Sequence, residues 1–340
     1  MKKALVILLV TVIVLSVAAV AAVMHFNAVS FKTDADTEEE MPVDVTDNFS
    51  KQYWQTGDKT LPYWLYVPDG AHKDMPLIVM LHSSYLKADP KISDEENLDN
   101  MVNTSVDDIP VYMYNGKLGA LPAYVIMPQT PPASCGWAKR GEEMVALVES
   151  CCKEYGIDRE RISLIGYSMG GTGALELASA YPETFRYASV VAGGLDGVTN
   201  SIIPYIKGEG RMKLSDELYP ELRVPKKNDP SVYEPEKMKF AYGDKSSTVF
   251  TAIAEEKAAA ARFEAERISD VAQKLDLGGV NTWLLIGADD TDVSTTVSEG
   301  LSRNVGEDLL RCDIIKNCDH GEILKIFLEK KGEILEFLTK

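Results

Sequence analysis

Residues 162–172 read Ile-Ser-Leu-Ile-Gly-Tyr-Ser-Met-Gly-Gly-Thr, an apolar run followed at once by a stretch of small residues. The apolar run predicts a buried strand, and the small residues after Ser168 predict a helix, so a tight turn must lie between them. Gly166, Ser168 and Gly170 fit the pattern G-x-S-x-G, in which a serine is exposed at the apex of such a turn. The glycines allow strand and helix to pass closely, because they lack Cβ atoms. We therefore expect Ser168 to be a nucleophile, although a glycine-rich turn without catalytic function would leave the same pattern.

Alternating strands and helices are predicted on both sides of this turn. Continuous apolar runs are typical of strands that are buried on both faces of a parallel sheet. The predicted strands are 61–67, 77–81, 123–127, 162–167, 188–192, 283–286 and 312–315, and the predicted helices are 141–155, 169–181 and 252–277. This order indicates an α/β fold, a mostly parallel sheet with helices on both faces, whose ligands bind beyond the carboxyl ends of the strands.

The N-terminus predicts a targeting segment. Lys2 and Lys3 precede an uncharged stretch from Ala4 to Met24, long enough to cross a bilayer. Small residues near its end would also suit cleavage by a signal peptidase, so residues 1–26 are either a membrane anchor or a cleaved signal. The positive-inside rule then leaves the rest of the chain outside the cytoplasm, secreted or anchored.

Two further regions follow from composition. Residues 27–50 are acidic and lack hydrophobic periodicity, which predicts a flexible spacer before a catalytic domain at 51–340. About 85 residues separate Gly194 from Val280, far more than one connecting helix needs. We expect a tyrosine- and proline-bearing, cap-like insertion at about 195–250, or a surface insertion without function.

Charge and cysteine content exclude several classes of protein. The formal net charge is −17, which argues against nucleic acid or an anionic bilayer surface as the main partner. The five cysteines are too few and too irregularly spaced for a zinc module or a disulfide framework. Cys312 and Cys318 could form a disulfide in an oxidising compartment, or both could be buried thiols.

A serine nucleophile needs a base and an orienting acid. Of the four histidines, only His320 follows the last predicted strand, in a loop where it could accept the Ser168 proton. Asp289, Asp290 and Asp292 follow the strand before it, and each could orient the imidazole. The order Ser, Asp, His is that of hydrolases with a nucleophile elbow.

The chain resembles the α/β-hydrolase superfamily, nearest the secreted carboxylesterases related to polyhydroxybutyrate depolymerases, feruloyl esterases and "predicted peptidase" hydrolases. The resemblance covers about Tyr63 to Leu338 and is carried by several short motifs together. They are Tyr-x-Leu-Tyr-Val-Pro at 63–68, Pro-Leu-Ile-Val-Met-Leu-His at 76–82, Met-Pro-Gln at 127–129, Ile157-Asp158 with Arg161-Ile162, Gly-Tyr-Ser-Met-Gly-Gly at 166–171, and Tyr181-Pro182 with Phe185. Ser83 departs from the pattern, since the family usually has glycine after this histidine.

The resemblance implies roles for further residues. Asp290 matches the Gly-x-x-Asp arrangement of the family's orienting acid, with Gly287 before it. The amides of Met169 and of the loop at Ser83, Ser84 and Tyr85 would form the oxyanion hole. His82, Tyr85 and Trp137 are the candidate substrate-binding residues, although core packing is an equal expectation for Trp137.

The function that this sequence predicts is that of an extracytoplasmic serine carboxylesterase. It would cleave small-acyl or polysaccharide-linked esters through an acyl-enzyme on Ser168, with no metal and no organic cofactor. The expected partners are the ester substrate and, through the N-terminal segment only, a membrane. A peptidase of the same fold and a catalytically silent surface-binding module are the alternatives.

Overall fold

The structure, a computed structural model, describes residues 42–57, 59–131, 136–137, 140–195 and 257–340. We number the described strands and helices in chain order. The strands are β1 (Phe49–Thr56), β2 (Lys59–Tyr66), β3 (Leu77–Leu81), β4 (Tyr124–Pro128), β5 (Ile162–Tyr167), β6 (Tyr187–Val191), β7 (Asn281–Gly287) and β8 (Leu310–Ile315). The helices are α1 (Asp94–Val102), α2 (Ile109–Tyr114), α3 (Gly141–Tyr155), α4 (Met169–Ala180), α5 (Lys257–Gly278), α6 (Thr295–Asn304), α7 (Ile323–Glu329) and α8 (Lys331–Leu338).

The eight strands form a single sheet in the order β1-β2-β4-β3-β5-β6-β7-β8. Strands β3 to β8 are parallel, while β2 is antiparallel to both β1 and β4. The loops that follow β3, β5, β7 and β8 therefore all lie at one edge of the sheet, where parallel strands end. These loops hold His82, Ser168, Asp290 and His320.

Hydrophobic layers cover both faces of the sheet. In β3, Leu77 and Val79 belong to the layer that also contains residues of α3, α4, α5 and α6. Ile78 and Met80 point to the opposite layer, which contains residues of α1, α2, α7 and α8. Successive side chains of a strand alternate between faces, so a continuous apolar run is required where both faces are buried. The predicted fold class, a mostly parallel sheet between two helical layers, is confirmed.

The amino-terminal boundary differs from the sequence prediction. Val45 is buried, Val43 donates its amide hydrogen to the Gly116 carbonyl, and β1 starts at Phe49. Residues 42–50 therefore belong to the folded domain, and the predicted spacer ends earlier than residue 50. β1 was not predicted because it lacks a continuous apolar run and, among the strands that the structure describes, pairs with β2 alone.

Other sequence predictions lie partly outside the described residues. These include residues 1–41 and, apart from Leu195, the predicted cap-like insertion at 195–250. Within the described ranges, none of the helices combines the length and apolarity needed to cross a bilayer. Cys312 and Cys318, for which a disulfide was one alternative, are free thiols, as are Cys151 and Cys152.

Candidate active site

Ser168 occupies the turn between β5 and α4 in a backbone conformation that few residues adopt. Its φ is 56° and its ψ is −117°, a backbone conformation that is strained for any residue other than glycine. Two hydrogen bonds hold this turn: the Ser168 N–H donates to the Val191 carbonyl of β6, and the Thr172 N–H donates to the Ser168 carbonyl, both at 2.9 Å. The surrounding backbone therefore stabilises the strained conformation.

Two glycines make the close packing of this turn possible. A Cβ atom at Gly166 would lie 2.3 Å from the carbonyl carbon of Gly170. A Cβ atom at Gly170 would lie 1.9 Å from the carbonyl oxygen of Leu81, at the end of β3. Both distances are far below van der Waals contact, so the G-x-S-x-G pattern reflects a steric requirement at these two positions.

His320 lies against Ser168 from the loop after β8. Its Nε2 atom is 2.9 Å from Ser168 Oγ. Tyr167 fixes the loop, since its hydroxyl donates to the His320 carbonyl at 2.9 Å and its ring packs beside the imidazole at a centroid distance of 5.2 Å. The imidazole is thus held within hydrogen-bond reach of the serine hydroxyl.

Asp290 is the acid that contacts this imidazole. Its Oδ2 atom is 2.7 Å from His320 Nδ1, and its side chain is fully buried. Its Oδ1 atom accepts the amide hydrogens of Asp292 and Val293 at 2.9 and 2.8 Å. A carboxylate at Nδ1 keeps the proton on that nitrogen, so the lone pair of Nε2 faces the Ser168 hydroxyl.

The structure separates Asp290 from the two neighbouring acids. Asp289 and Asp292 are exposed, and the Asp289 N–H donates to the Cys318 carbonyl at 3.0 Å. Sequence alone left all three acids open, because the turn decides which carboxylate points inward. In the structure, Ser168, His320 and Asp290 form one hydrogen-bonded series.

The amides predicted to form the oxyanion hole differ in whether they already have a hydrogen-bond acceptor. Met169 begins α4, and Ser84 begins a 3₁₀ turn, Ser84–Leu86. The N–H groups of Met169 and Ser84 have no acceptor among the described residues. The prediction for Ser83 is wrong, because its N–H donates to the buried carboxylate of Asp108 at 2.8 Å.

Two of the three predicted substrate-binding residues have structural roles instead. His82 is completely buried; its Nδ1 lies 2.6 Å from the Ser83 carbonyl, and its Nε2 accepts the Thr130 amide hydrogen at 3.0 Å. Trp137 is also completely buried and donates its indole N–H to the His82 carbonyl. Burial lowers the pKa of His82 to about 4, so the ring is neutral. The prediction that His82 and Trp137 bind substrate is therefore wrong.

Tyr85, the third of these residues, is available to a substrate. Its side chain is 78% exposed, and it follows directly on Ser84.

The two residues that sequence analysis missed are Tyr167, which positions His320, and Asp108. A signal for Asp108 was present, because an aspartate before Ile109-Pro110 is typical of a helix N-cap.

A family model matches residues 137–325, more than half of the 340-residue chain. Its description is "Serine aminopeptidase, S33", and it is named Hydrolase_4. The chain belongs to this family. The matched segment of this Hydrolase_4 member contains Ser168, Asp290 and His320.

Several solved structures resemble the fold. Est1E from Butyrivibrio proteoclasticus is 14% identical, with a TM-score of 0.51 over 85% of this chain and 99% of that one. A puromycin-hydrolyzing peptidase from Mycobacterium tuberculosis is 13% identical, with a TM-score of 0.53 over 87% of this chain and 40% of that one. A thermostable esterase is 16% identical, with a TM-score of 0.49 over 86% of this chain and 63% of that one. This Hydrolase_4 chain thus spans less than two thirds of the latter two proteins. A search of curated proteins by sequence gives no match.

At these identities the likeness concerns the fold alone. The resemblance to the α/β-hydrolase superfamily is confirmed, and this Hydrolase_4 member has the α/β-hydrolase fold.

Proposed function

We propose that the chain is an extracytoplasmic serine carboxylesterase that forms its acyl-enzyme on Ser168. The observation that carries this proposal is the hydrogen-bonded series from Asp290 through His320 to Ser168 Oγ, with distances of 2.7 and 2.9 Å. Such a series supplies a nucleophile, a general base and an orienting acid in the geometry that acyl transfer needs.

The proposed reaction has two steps. His320 Nε2 takes the proton of Ser168 as the serine oxygen attacks the ester carbonyl, and then gives that proton to the leaving alcohol. Asp290 stabilises the imidazolium that forms in between. Water, activated by the same imidazole, then releases the acid from the acyl-enzyme.

In this proposal the oxyanion of each tetrahedral intermediate accepts hydrogen bonds from two backbone amides, those of Met169 and Ser84. The Met169 N–H lies at the start of α4, where the helix dipole favours negative charge. Such donors contribute about 3–4 kcal/mol each to transition-state stabilisation in other hydrolases.

Ester chemistry outside the cytoplasm is supported by the sequence. The resemblance to secreted carboxylesterases points to small-acyl or polysaccharide-linked esters. The apolar segment from Ala4 to Met24, preceded by two lysines, supports export by secretion or anchoring.

A peptidase of the same fold is the second candidate. It is favoured by the description of the matching family as serine aminopeptidase and by the likeness in fold to the puromycin-hydrolyzing peptidase of Mycobacterium tuberculosis. Both reactions need the same three side chains, so the leaving group distinguishes them.

The test compares matched substrates on the purified chain. Acetyl, butyryl, octanoyl and feruloyl esters are assayed beside aminoacyl p-nitroanilides, with Ser168→Ala as the blank. We expect kcat/KM for the best ester to exceed that for the best amide by at least about a hundredfold, a difference of about 2.7 kcal/mol in activation free energy. Faster cleavage of the amides would establish the peptidase, and no turnover of either class would favour a binding module.

A further inference from the structure

Asp108 is a fully buried acid outside the Ser168, His320 and Asp290 series. It precedes α2 directly, as the N-cap of that helix, and its exposed fraction is 0%. Burial raises the pKa of this carboxyl to about 7. A capping aspartate on the surface would avoid this desolvation cost, so the contacts of Asp108 need an explanation beyond capping.

Those contacts join two separate parts of the chain. Asp108 Oδ1 accepts the Ile109 amide hydrogen at 2.8 Å, which caps α2. Asp108 Oδ2 accepts the Ser83 amide hydrogen at 2.8 Å. One carboxylate thus ties the loop after β3 to the start of α2.

The bond to Ser83 decides where the next amide points. Ser83 has φ −71° and ψ 176°, an extended conformation near polyproline II, which has about three residues per turn, so successive N–H groups point in clearly different directions. The Ser83 N–H donates to Asp108, so the Ser84 N–H points in another direction, and it has no acceptor among the described residues. The end of β3 also lies against the first turn of α4, as the tight approach between Gly170 and the Leu81 carbonyl shows.

We propose that Asp108 is a positioning residue for the oxyanion hole: by holding the Ser83 amide, it turns the Ser84 N–H toward the oxygen that becomes negative when Ser168 attacks. The proposal deepens the proposed function and rests on it.

The test uses the full chain and two substitutions that separate capping from positioning. In Asp108→Asn, an amide oxygen can still cap α2, but the NH₂ group faces the Ser83 N–H and cannot accept from it. In Asp108→Ser, the hydroxyl can cap α2 but is too short to hold Ser83 as well. Asp107→Asn is the matched control, because Asp107 is the exposed neighbouring acid on the same loop.

The first readout is the second-order rate at which a fluorophosphonate labels Ser168, corrected for the active fraction by titration. This reaction also develops negative charge on oxygen but requires no knowledge of the natural substrate. We expect both Asp108 variants to label about 10²–10³-fold more slowly, the loss seen when one oxyanion donor is removed, while Asp107→Asn labels like wild type. For an acetyl ester, kcat should fall by a similar factor with KM nearly unchanged.

Either of two results would overturn the proposal. Folded Asp108 variants that label within threefold of wild type would show that the Ser84 amide does not depend on Asp108. If neither variant folds, although both can still cap α2, the bond to Ser83 serves folding rather than the oxyanion hole, and the proposal fails. Failure of the proposed function is distinguishable, because a wild-type chain that labels at Ser168 but cleaves no ester would refute the esterase and leave the labelling comparison intact.

Discussion

Asp290 and its acidic neighbours differ in what their carboxylates contact. Both oxygens of Asp290 are hydrogen-bonded, one to His320 and one to two backbone amides, whereas Asp289 and Asp292 are exposed. Replacing each of these three aspartates with asparagine makes the same chemical change, but we expect the effects on turnover to differ widely.

Asp290→Asn should lower kcat by about 10²–10⁴-fold, because an amide NH₂ facing Nδ1 forces the wrong imidazole tautomer and removes the partner of the imidazolium. Asp289→Asn and Asp292→Asn, the matched controls, should stay within about threefold of wild type. Steady-state hydrolysis of an acetyl ester measures all three. If Asp290→Asn retains more than about a tenth of wild-type turnover while Asp289→Asn is nearly inactive, the orienting acid is Asp289.

His82 predicts a pH dependence of stability. Burial lowers its pKa in the folded state to about 4, whereas the unfolded chain has the usual value near 6.5. Between these two values the unfolded state binds more protons, so the free energy of unfolding falls as the pH falls. The group contributes about 3 kcal/mol at most, which is fully present above pH 6.5 and fully lost below pH 4.

Replacing the ring with a side chain that does not titrate isolates this effect. His82→Gln can still donate to the Ser83 carbonyl and accept from Thr130. Urea unfolding at pH 7 and pH 4.5 gives the free energy of unfolding of each protein. Wild type should lose more of it than the variant between pH 7 and pH 4.5, so the advantage of wild type over the variant should be smaller at pH 4.5. An unchanged difference at the two pH values would mean that His82 titrates alike in both states.

At the level of residues, sequence gives most where the order of elements carries the information, and the structure brings Ser168 and His320 within hydrogen-bond distance. Ser168 and His320 were identified because their positions after strands are read from hydrophobic runs. The direction of an individual amide was not predictable: the Ser83 N–H is turned by Asp108, which is 25 residues away. His82 and Trp137 were assigned to substrate because local sequence does not show that the loop buries both.

At the scale of elements, the turn between β5 and α4 depends on the end of β3. The first turn of α4 packs directly on the Leu81 carbonyl, and β3 pairs with β5 along its length. The buried central strands were predicted from continuous apolar runs. β1 was not, because it has a single neighbour among the described strands and its residues from Phe49 to Gln55 are partly or fully exposed.

Gly170→Ala tests this packing. Its Cβ would meet the Leu81 carbonyl oxygen at 1.9 Å, so strand or helix must move, and we expect a large loss of folded protein or of activity. Gly332→Ala in α8 is the matched control, since its Cβ meets nothing within 4 Å and alanine favours helix by up to about 1 kcal/mol. Melting temperature and ester turnover measure both variants. Wild-type behaviour of Gly170→Ala would refute the steric explanation of the motif.

At the scale of the whole molecule, the folded domain and the predicted targeting segment are separate in sequence. The described fold begins at residue 42, and the apolar segment ends at Met24. The formal net charge of −17 favours solubility once that segment is removed.

Deleting residues 1–30 should therefore yield a soluble chain whose kcat and KM for an acetyl ester equal those of the full protein in detergent. No residue of the described fold is removed by this deletion. Size-exclusion chromatography and ester hydrolysis provide the check. Aggregation together with loss of activity would show that the first 30 residues support the fold.

The central claim is that Ser168 is the nucleophile, and covalent labelling tests it most directly. Wild type and Ser168→Ala are treated with a fluorophosphonate probe, the labelled peptide is located by mass spectrometry, and ester hydrolysis and melting temperature are measured on the same samples. We predict that the label maps to Ser168, that Ser168→Ala loses both labelling and hydrolysis, and that its melting temperature changes by no more than a few degrees. A folded Ser168→Ala protein that still labels or still hydrolyses the ester would contradict the claim.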